Sequence, residues 1–145
     1  MSAIGGDAIG SLEAELLLAA QMAGCTGDAI GAFVRRRFSA AMVRRRSEFA
    51  AVIRPGLSGV RVLARSIWLA IRAEDLVGEI VQSDASVIID AAPFDAALLP
   101  LPLAKGDRLV RFSGTAREQV FTLLERAHIA HVAPYDIYYR ANVRG

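Results

Sequence analysis

The hydrophobic pattern changes character once along this chain, at Phe49. Before it, apolar residues return at intervals of three and four, as on one face of an α-helix. After it they come in short runs rich in Val and Ile. Gly, Pro, Asp and Ser separate these runs, as they separate β-strands joined by turns.

A first helix is expected from Ser11, as N-cap, through Leu12, Leu16 and Leu17 to a stop near Gly24. Glu13 and Glu15 in its first turn suit the positive end of the helix dipole. Residues 1–6 read as a loose Gly-rich tail. A second helix is expected over 29–46, with Asp28 as N-cap after Gly27. Ile30, Phe33, Val34, Phe38, Ala41 and Met42 make its apolar stripe.

Strands are expected at 49–54, 60–72, 79–82 and 86–90. In the second, Arg61, Arg65 and Arg72 are also spaced for a helix, but the flanking turns and β-branched content favour a strand. Residues 73–78 read as one helical turn closed by Gly78. Pro93, Pro100 and Pro102 make 91–102 an irregular connector. Gly106-Asp107 then opens a hairpin: a short strand, a polar turn at Gly114, and a longer strand over 119–132. A further strand runs from Ile137. The predicted class is α+β, with two N-terminal helices within 1–47 and a small antiparallel β-barrel of about six strands over 48–145. Closing the sheet would hide the edges of such apolar strands.

Composition adds limits. A chain of 145 residues has the size of one domain, and at 54% hydrophobic it can build a core without metal or disulfide. Cys25 is the single cysteine, so no intramolecular disulfide forms, which fits a reducing compartment. A buried or half-buried thiol in a turn of small residues is expected there, with no neighbour to activate it. The run 16–27 is too short to span a bilayer and no basic leader precedes it, so a soluble protein without a membrane partner is expected.

The net charge is only +2 but is unevenly placed. Arg35, Arg36 and Arg37 form one triplet and Arg44, Arg45 and Arg46 another. Nine positions turn a helix by about 180°, so the triplets flank the apolar seam on both sides. They fit a solvated helix whose long side chains cover apolar surface. They also fit contact with an acidic partner or with nucleic-acid phosphates.

Catalytic patterns are missing from the sequence. His128 and His131, three apart on a strand, fall on opposite faces, with no third ligand nearby. Asp84, Asp90, Asp95 and Asp107 all sit in turn-forming sequence. There is no phosphate-binding Gly-rich loop and no nucleophile elbow. Neither enzymatic activity nor a cofactor is expected. Trp68, Phe112, Phe121, Tyr135, Tyr138 and Tyr139 are candidates for base stacking on a barrel face, although core packing is the commoner use of aromatics at strand spacing.

Three stretches carry a resemblance: Glu74-Asp-Leu-Val-Gly-Glu-Ile-Val-Gln-Ser-Asp-Ala-Ser-Val-Ile-Ile-Asp90, Pro100-Leu-Pro-Leu-Ala-Lys-Gly-Asp-Arg-Leu-Val110, and the closing Tyr-Tyr-Arg-Ala-Asn-Val-Arg-Gly145. Over about 48–145 the chain resembles the head-completion or stopper (head–tail joining) proteins of tailed-bacteriophage necks. The resemblance implies a structural virion protein without catalysis, made in the host cytoplasm and placed in the neck. It implies a homo-oligomeric ring that closes the DNA exit channel after packaging. Portal and adaptor proteins of the head would lie on one side, and tail-terminator or tail-tube proteins on the other. Packaged double-stranded DNA would pass nearby without sequence-specific contact. The arginines of both triplets are then candidates for touching DNA or a partner. Two loops are candidate interaction arms, one around Arg54, Pro55, Gly56 and Leu57, the other around Pro100, Pro102 and Lys105. The competing readings are a tail-terminator or other neck ring, an OB-like nucleic-acid-binding module, and a small enzyme.

Overall fold

The computed structural model describes residues 6–25, 27–45, 47–70, 84–97 and 99–145. Two helices lead, α1 (Gly6–Met22) and α2 (Asp28–Arg44). Seven strands follow: β1 (Glu48–Ile53), β2 (Val62–Ala70), β3 (Ala85–Asp90), β4 (Arg108–Arg111), β5 (Gln119–Leu123), β6 (His128–Val132) and β7 (Tyr135–Arg144). The strand order β3-β2-β1-β4-β5-β7 returns to β3, because β3 also pairs with β7. This closes a six-strand antiparallel barrel preceded by two helices, an α+β fold. β6 lies outside the ring and forms a hairpin with the first half of β7.

Alternation fills the barrel. Ala50 and Val52 of β1, Val62 and Ala64 of β2, Leu109 of β4 and Leu123 of β5 point inward and meet Tyr139, Ala141 and Val143 of β7. Arg65, one residue on from Ala64, therefore lies outside, which is why charges in β2 are compatible with a strand. β3 is buried on both faces. Val87 and Ile89 enter the barrel, while Ile88 lies under the helices. That two-sided burial accounts for its unbroken Val-Ile-Ile run.

A second core joins the helices to the barrel wall. Val34, Phe38 and Met42 of α2 pack with Ile67, Ile88, Ala130, Ile137 and Tyr138. The Phe38 and Tyr138 rings stack with centroids 5.0 Å apart. α1 contributes Leu12, Leu16, Leu17 and Ala20 to the same layer, and the half-buried Cys25 packs there as well. None of the described helices is long and apolar enough to cross a membrane.

Several local expectations need correction. Ser11 does not cap α1, which begins at Gly6 and carries Ser11 exposed within it. Packing of the Leu12–Leu16–Leu17 face on α2 stabilises the helix past its glycines, where local propensity alone would start it later. Gly27, not Asp28, is the N-cap of α2, with φ 55° and ψ −132°, a conformation that glycine adopts without steric cost. The expected strand over 119–132 is two strands. It breaks at 124–127, where Ala127 tucks into the barrel core and its N–H donates to the Leu103 carbonyl. The expected turn at 73–78 and strand at 79–82 lie outside the described residues.

Candidate interaction surfaces

The first arginine triplet divides. Arg35 is buried and donates to the Ala91 carbonyl at 3.3 Å. It also pairs with Asp95 at 2.6 Å and lies over the Tyr135 ring, 5.1 Å from its centroid. This residue pins α2 to the short 3-10 turn Ala92–Phe94 and is not free for a partner. Arg36 and Arg37 are exposed, with Arg37 over the Phe33 ring. In the second triplet Arg44 is exposed and Arg45 forms the half-buried C-cap of α2. Arg46 lies outside the described residues. Arg36, Arg37 and Arg44 thus give the solvent side of α2 a basic character.

The two candidate loops meet at one end of the barrel, and Arg54 ties them together. Its Nε and one terminal nitrogen donate to the two Asp107 carboxylate oxygens at 2.8 and 2.9 Å. The guanidinium also donates to the Pro100 carbonyl at 2.7 Å and the Pro102 carbonyl at 3.0 Å. Asp107 is buried and further accepts the Ala104 N–H at 2.8 Å. The planar five-donor guanidinium matches this set of four oxygens as a lysine could not. Arg54, Pro100 and Pro102 therefore belong to a fixed rim. Pro55, Gly56 and Lys105 are exposed on it, and Leu57 packs against the barrel core.

The carboxylates singled out from the sequence are engaged. Asp84 is buried and pairs with Arg144 through two bonds of 2.9 Å. Asp90, buried at the end of β3, accepts from the Ser39 hydroxyl at 3.0 Å and from the Ala92 N–H at 3.4 Å. Burial raises its pKa, against the opposing pull of these donors and of Arg35. His128 and His131 are both exposed. An unbroken ladder would set His131 opposite Ile137, but a bulge after Ala130 sets it opposite Asp136, so simple alternation does not decide their faces. His131 Nδ1 lies 2.8 Å from the Asp136 carboxylate. Among the described residues no group of three or more His, Cys, Asp or Glu could hold a metal ion.

Most of the aromatics serve packing. Trp68 and Phe121 meet at 4.7 Å against the barrel core, with Arg111 over the Trp68 ring and bonded to Glu48. Phe94 meets Tyr139 edge to face at 5.3 Å, and the Tyr139 hydroxyl donates to Asp136 at 2.7 Å. Burial and that carboxylate push the Tyr139 pKa well above the ordinary tyrosine value.

The structure also shows a surface that the sequence reading did not single out. Leu63, Ala51, Val110 and Val120 are direct partners across β2, β1, β4 and β5 on the outer side of the barrel wall; Leu63 and Val120 are exposed, and Ala51 and Val110 between them are buried. Phe49 extends this apolar row beside Arg65, whose guanidinium lies 4.5 Å from the Phe49 ring centroid. Exposed Arg61 and Arg108 complete its border. One signal was available: outward positions of a barrel strand normally carry polar residues, and Phe49, Ala51, Leu63, Val110 and Val120 are apolar. Comparison with protein-family models, curated proteins and solved structures finds no match for this chain.

Proposed function

We propose that this protein is a structural component of a tailed-bacteriophage neck. In this reading it forms a ring that closes the DNA exit channel after packaging and joins the portal side of the head to the tail. The observation that carries the reading is the division of the molecular surface. A small closed barrel has helices packed on one flank and an apolar, arginine-bordered face left open on the other. Phe49, Leu63 and Val120 stand exposed on that face around the buried Ala51 and Val110, and large apolar side chains exposed together on one face serve protein–protein contact. A ring subunit needs two such surfaces, because its neighbours meet it through different faces. The sequence resemblance over 48–145 supplies the biological setting. The exposed Arg36, Arg37 and Arg44 suit either phosphates of passing DNA or an acidic neighbouring ring.

The test is negative-stain imaging and mass photometry of the purified protein mixed with DNA-filled, portal-capped heads of the virus that encodes it. A ring of added density at the portal, with no binding to isolated tail tubes, is the expected result. Binding to tail tubes and not to heads would favour a tail-terminator. Tight binding of a monomer to free single-stranded DNA, with a steep salt dependence, would overturn the neck assignment in favour of an OB-like module.

A further inference from the structure

We infer that the outer face of α1 docks on the open β1–β2–β4–β5 face of a second copy of this chain, in a head-to-tail contact. The inference rests on the ring-assembly reading above and names the two surfaces that would build it.

Two exposed apolar patches exist on the described surface. On α1, Leu18 is 57% exposed and Met22 81%, one helical turn apart. On the sheet, Phe49 is 55% exposed, Leu63 53% and Val120 47%. These five make up most of the large apolar side chains that the described residues expose, the others being Val43 and Leu101. The two patches also differ in charge. The α1 segment carries no lysine or arginine; of its acids, Glu15 is exposed beside Leu18 and Met22, while Glu13 is bonded to Tyr138 on the packed side. The sheet patch is bordered by Arg61, Arg65 and Arg108, and the acid nearest them on β1, Glu48, is bonded to Arg111. The α1 patch, with Glu15 at its edge, is thus complementary in charge to the arginine-bordered sheet patch of another copy. The outer side of α2 is a poor occupant, because Arg36, Arg37 and Arg44 would meet the arginine border with like charge.

The topology sets the direction. In the ring order β3-β2-β1-β4-β5-β7, the helices cover outer positions of β2, β3 and β7, and the open face centres on β1, β4 and β5 across the barrel. The complementary patches therefore lie on different sides of one subunit. Contacts between different surfaces are heterologous, and they propagate around a ring when the rotation closes.

Sedimentation velocity of the full chain at up to about 1 mM subunit tests the contact. The wild type is expected to self-associate, more weakly as salt rises. Leu18→Asp and Leu63→Asp should each associate about 100-fold more weakly, because either change places a carboxylate in an apolar contact. Each variant keeps one intact patch, so an equal mixture of the two should form a dimer and nothing larger. Circular dichroism checks that the variants fold, and Val120→Asp replaces Leu63→Asp if the latter does not. A wild type that stays monomeric over this range overturns the inference. So does a Leu18→Asp variant that associates like the wild type, the result expected if sheet faces pair with each other, and so does a mixture that remains monomeric. If assemblies form through these patches but do not bind heads, the neck assignment fails and this contact stands. If both variants decorate heads as the wild type does, the contact fails and the neck assignment stands.

Discussion

Gly31 of α2 sits directly against Ala133, in the turn between β6 and β7: a Cβ placed on Gly31 would stand 2.3 Å from the Ala133 carbonyl oxygen. The same Cβ would lie 2.6 Å from the Val132 carbonyl oxygen and 2.9 Å from the Ala133 carbonyl carbon. All three are backbone atoms, so no side-chain rotation relieves the overlap. The helix and the β6–β7 hairpin can approach this closely only because residue 31 has no side chain.

Gly31→Ala should therefore destabilise the protein by about 2 kcal/mol, the scale of an overpacked core position. In an exposed helix interior the same change would stabilise by about 1 kcal/mol. The sign of the change is the test. Urea denaturation followed by far-ultraviolet circular dichroism should show a lower midpoint with an unchanged slope. A variant as stable as the wild type would mean that the helix does not pack here.

Residues such as Gly31 mark the boundary of what could be read from the chain. The apolar stripe of α2 was legible because helix period is local, and Val34, Phe38, Ala41 and Met42 are indeed buried. The strand character of β2 was legible from its turns and β-branched residues. The break between β5 and β6 was not, because it depends on Ala127 reaching Leu103 across the barrel. The arginine triplets stood out as charge, but the partners that bury Arg35, Ala91 and Asp95, come from a distant connector. The open sheet face was hidden for the same reason. Phe49, Leu63 and Val120 are ordinary strand residues until the register of four strands sets them on one outer face, around Ala51 and Val110.

The Arg54–Asp107 pair offers a second prediction. The two residues are 53 positions apart, and the bond closes the rim between β1, the proline-containing loop and β4. Arg54→Ala would leave the Asp107 carboxylate buried with one backbone donor, Ala104 N–H, and would remove the guanidinium from the Pro102 carbonyl and from the solvent-exposed Pro100 carbonyl. Because Arg54 itself is partly solvated, the loss should fall at or below the lower end of the range for broken buried pairs, about 2–3 kcal/mol. Arg54→Lys should recover less than half of it, since an ammonium cannot span both carboxylate oxygens and two carbonyls. Thermal melts of the three proteins under one buffer decide the matter. Equal melting temperatures for the lysine variant and the wild type would show that charge alone holds the rim.

Asp90 predicts an unusual acid dependence. Burial raises its pKa in the folded protein, while the unfolded chain ionises at the ordinary value. Above the raised value the folded state must hold a buried charge, so Asp90 lowers stability at neutral pH. This effect fades as pH falls through the raised value toward the ordinary one. Asp90→Asn keeps an oxygen to accept from Ser39 and the Ala92 N–H but removes the charge. The variant should be at least as stable as the wild type at neutral pH, and its relative advantage should shrink as the solution is acidified through the carboxylate range. An advantage that grows on acidification would mean that the native site favours the ionised form. Urea midpoints taken at several pH values across that range give the comparison.

At the alkaline end, Tyr139 should dominate. Its hydroxyl donates to Asp136 at 2.7 Å, and burial beside that carboxylate raises its pKa above the ordinary 10.0. The unfolded chain loses the tyrosine proton near its ordinary value, whereas the folded protein retains it. Stability is therefore whole below about pH 10 and falls as pH rises above it. Tyr139→Phe removes the hydrogen bond, which should cost about 1 kcal/mol at neutral pH. It also removes the ionisable group, so the variant should lose less stability on going alkaline, and the gap to the wild type should close. Tyr138, whose pKa is raised by burial and by Glu13 of α1, leaves a residual slope in the variant. Denaturation midpoints measured between about pH 8 and 11 should thus converge for the two proteins. Parallel curves across that interval would mean that Tyr139 ionises as readily in the folded barrel as in the unfolded chain.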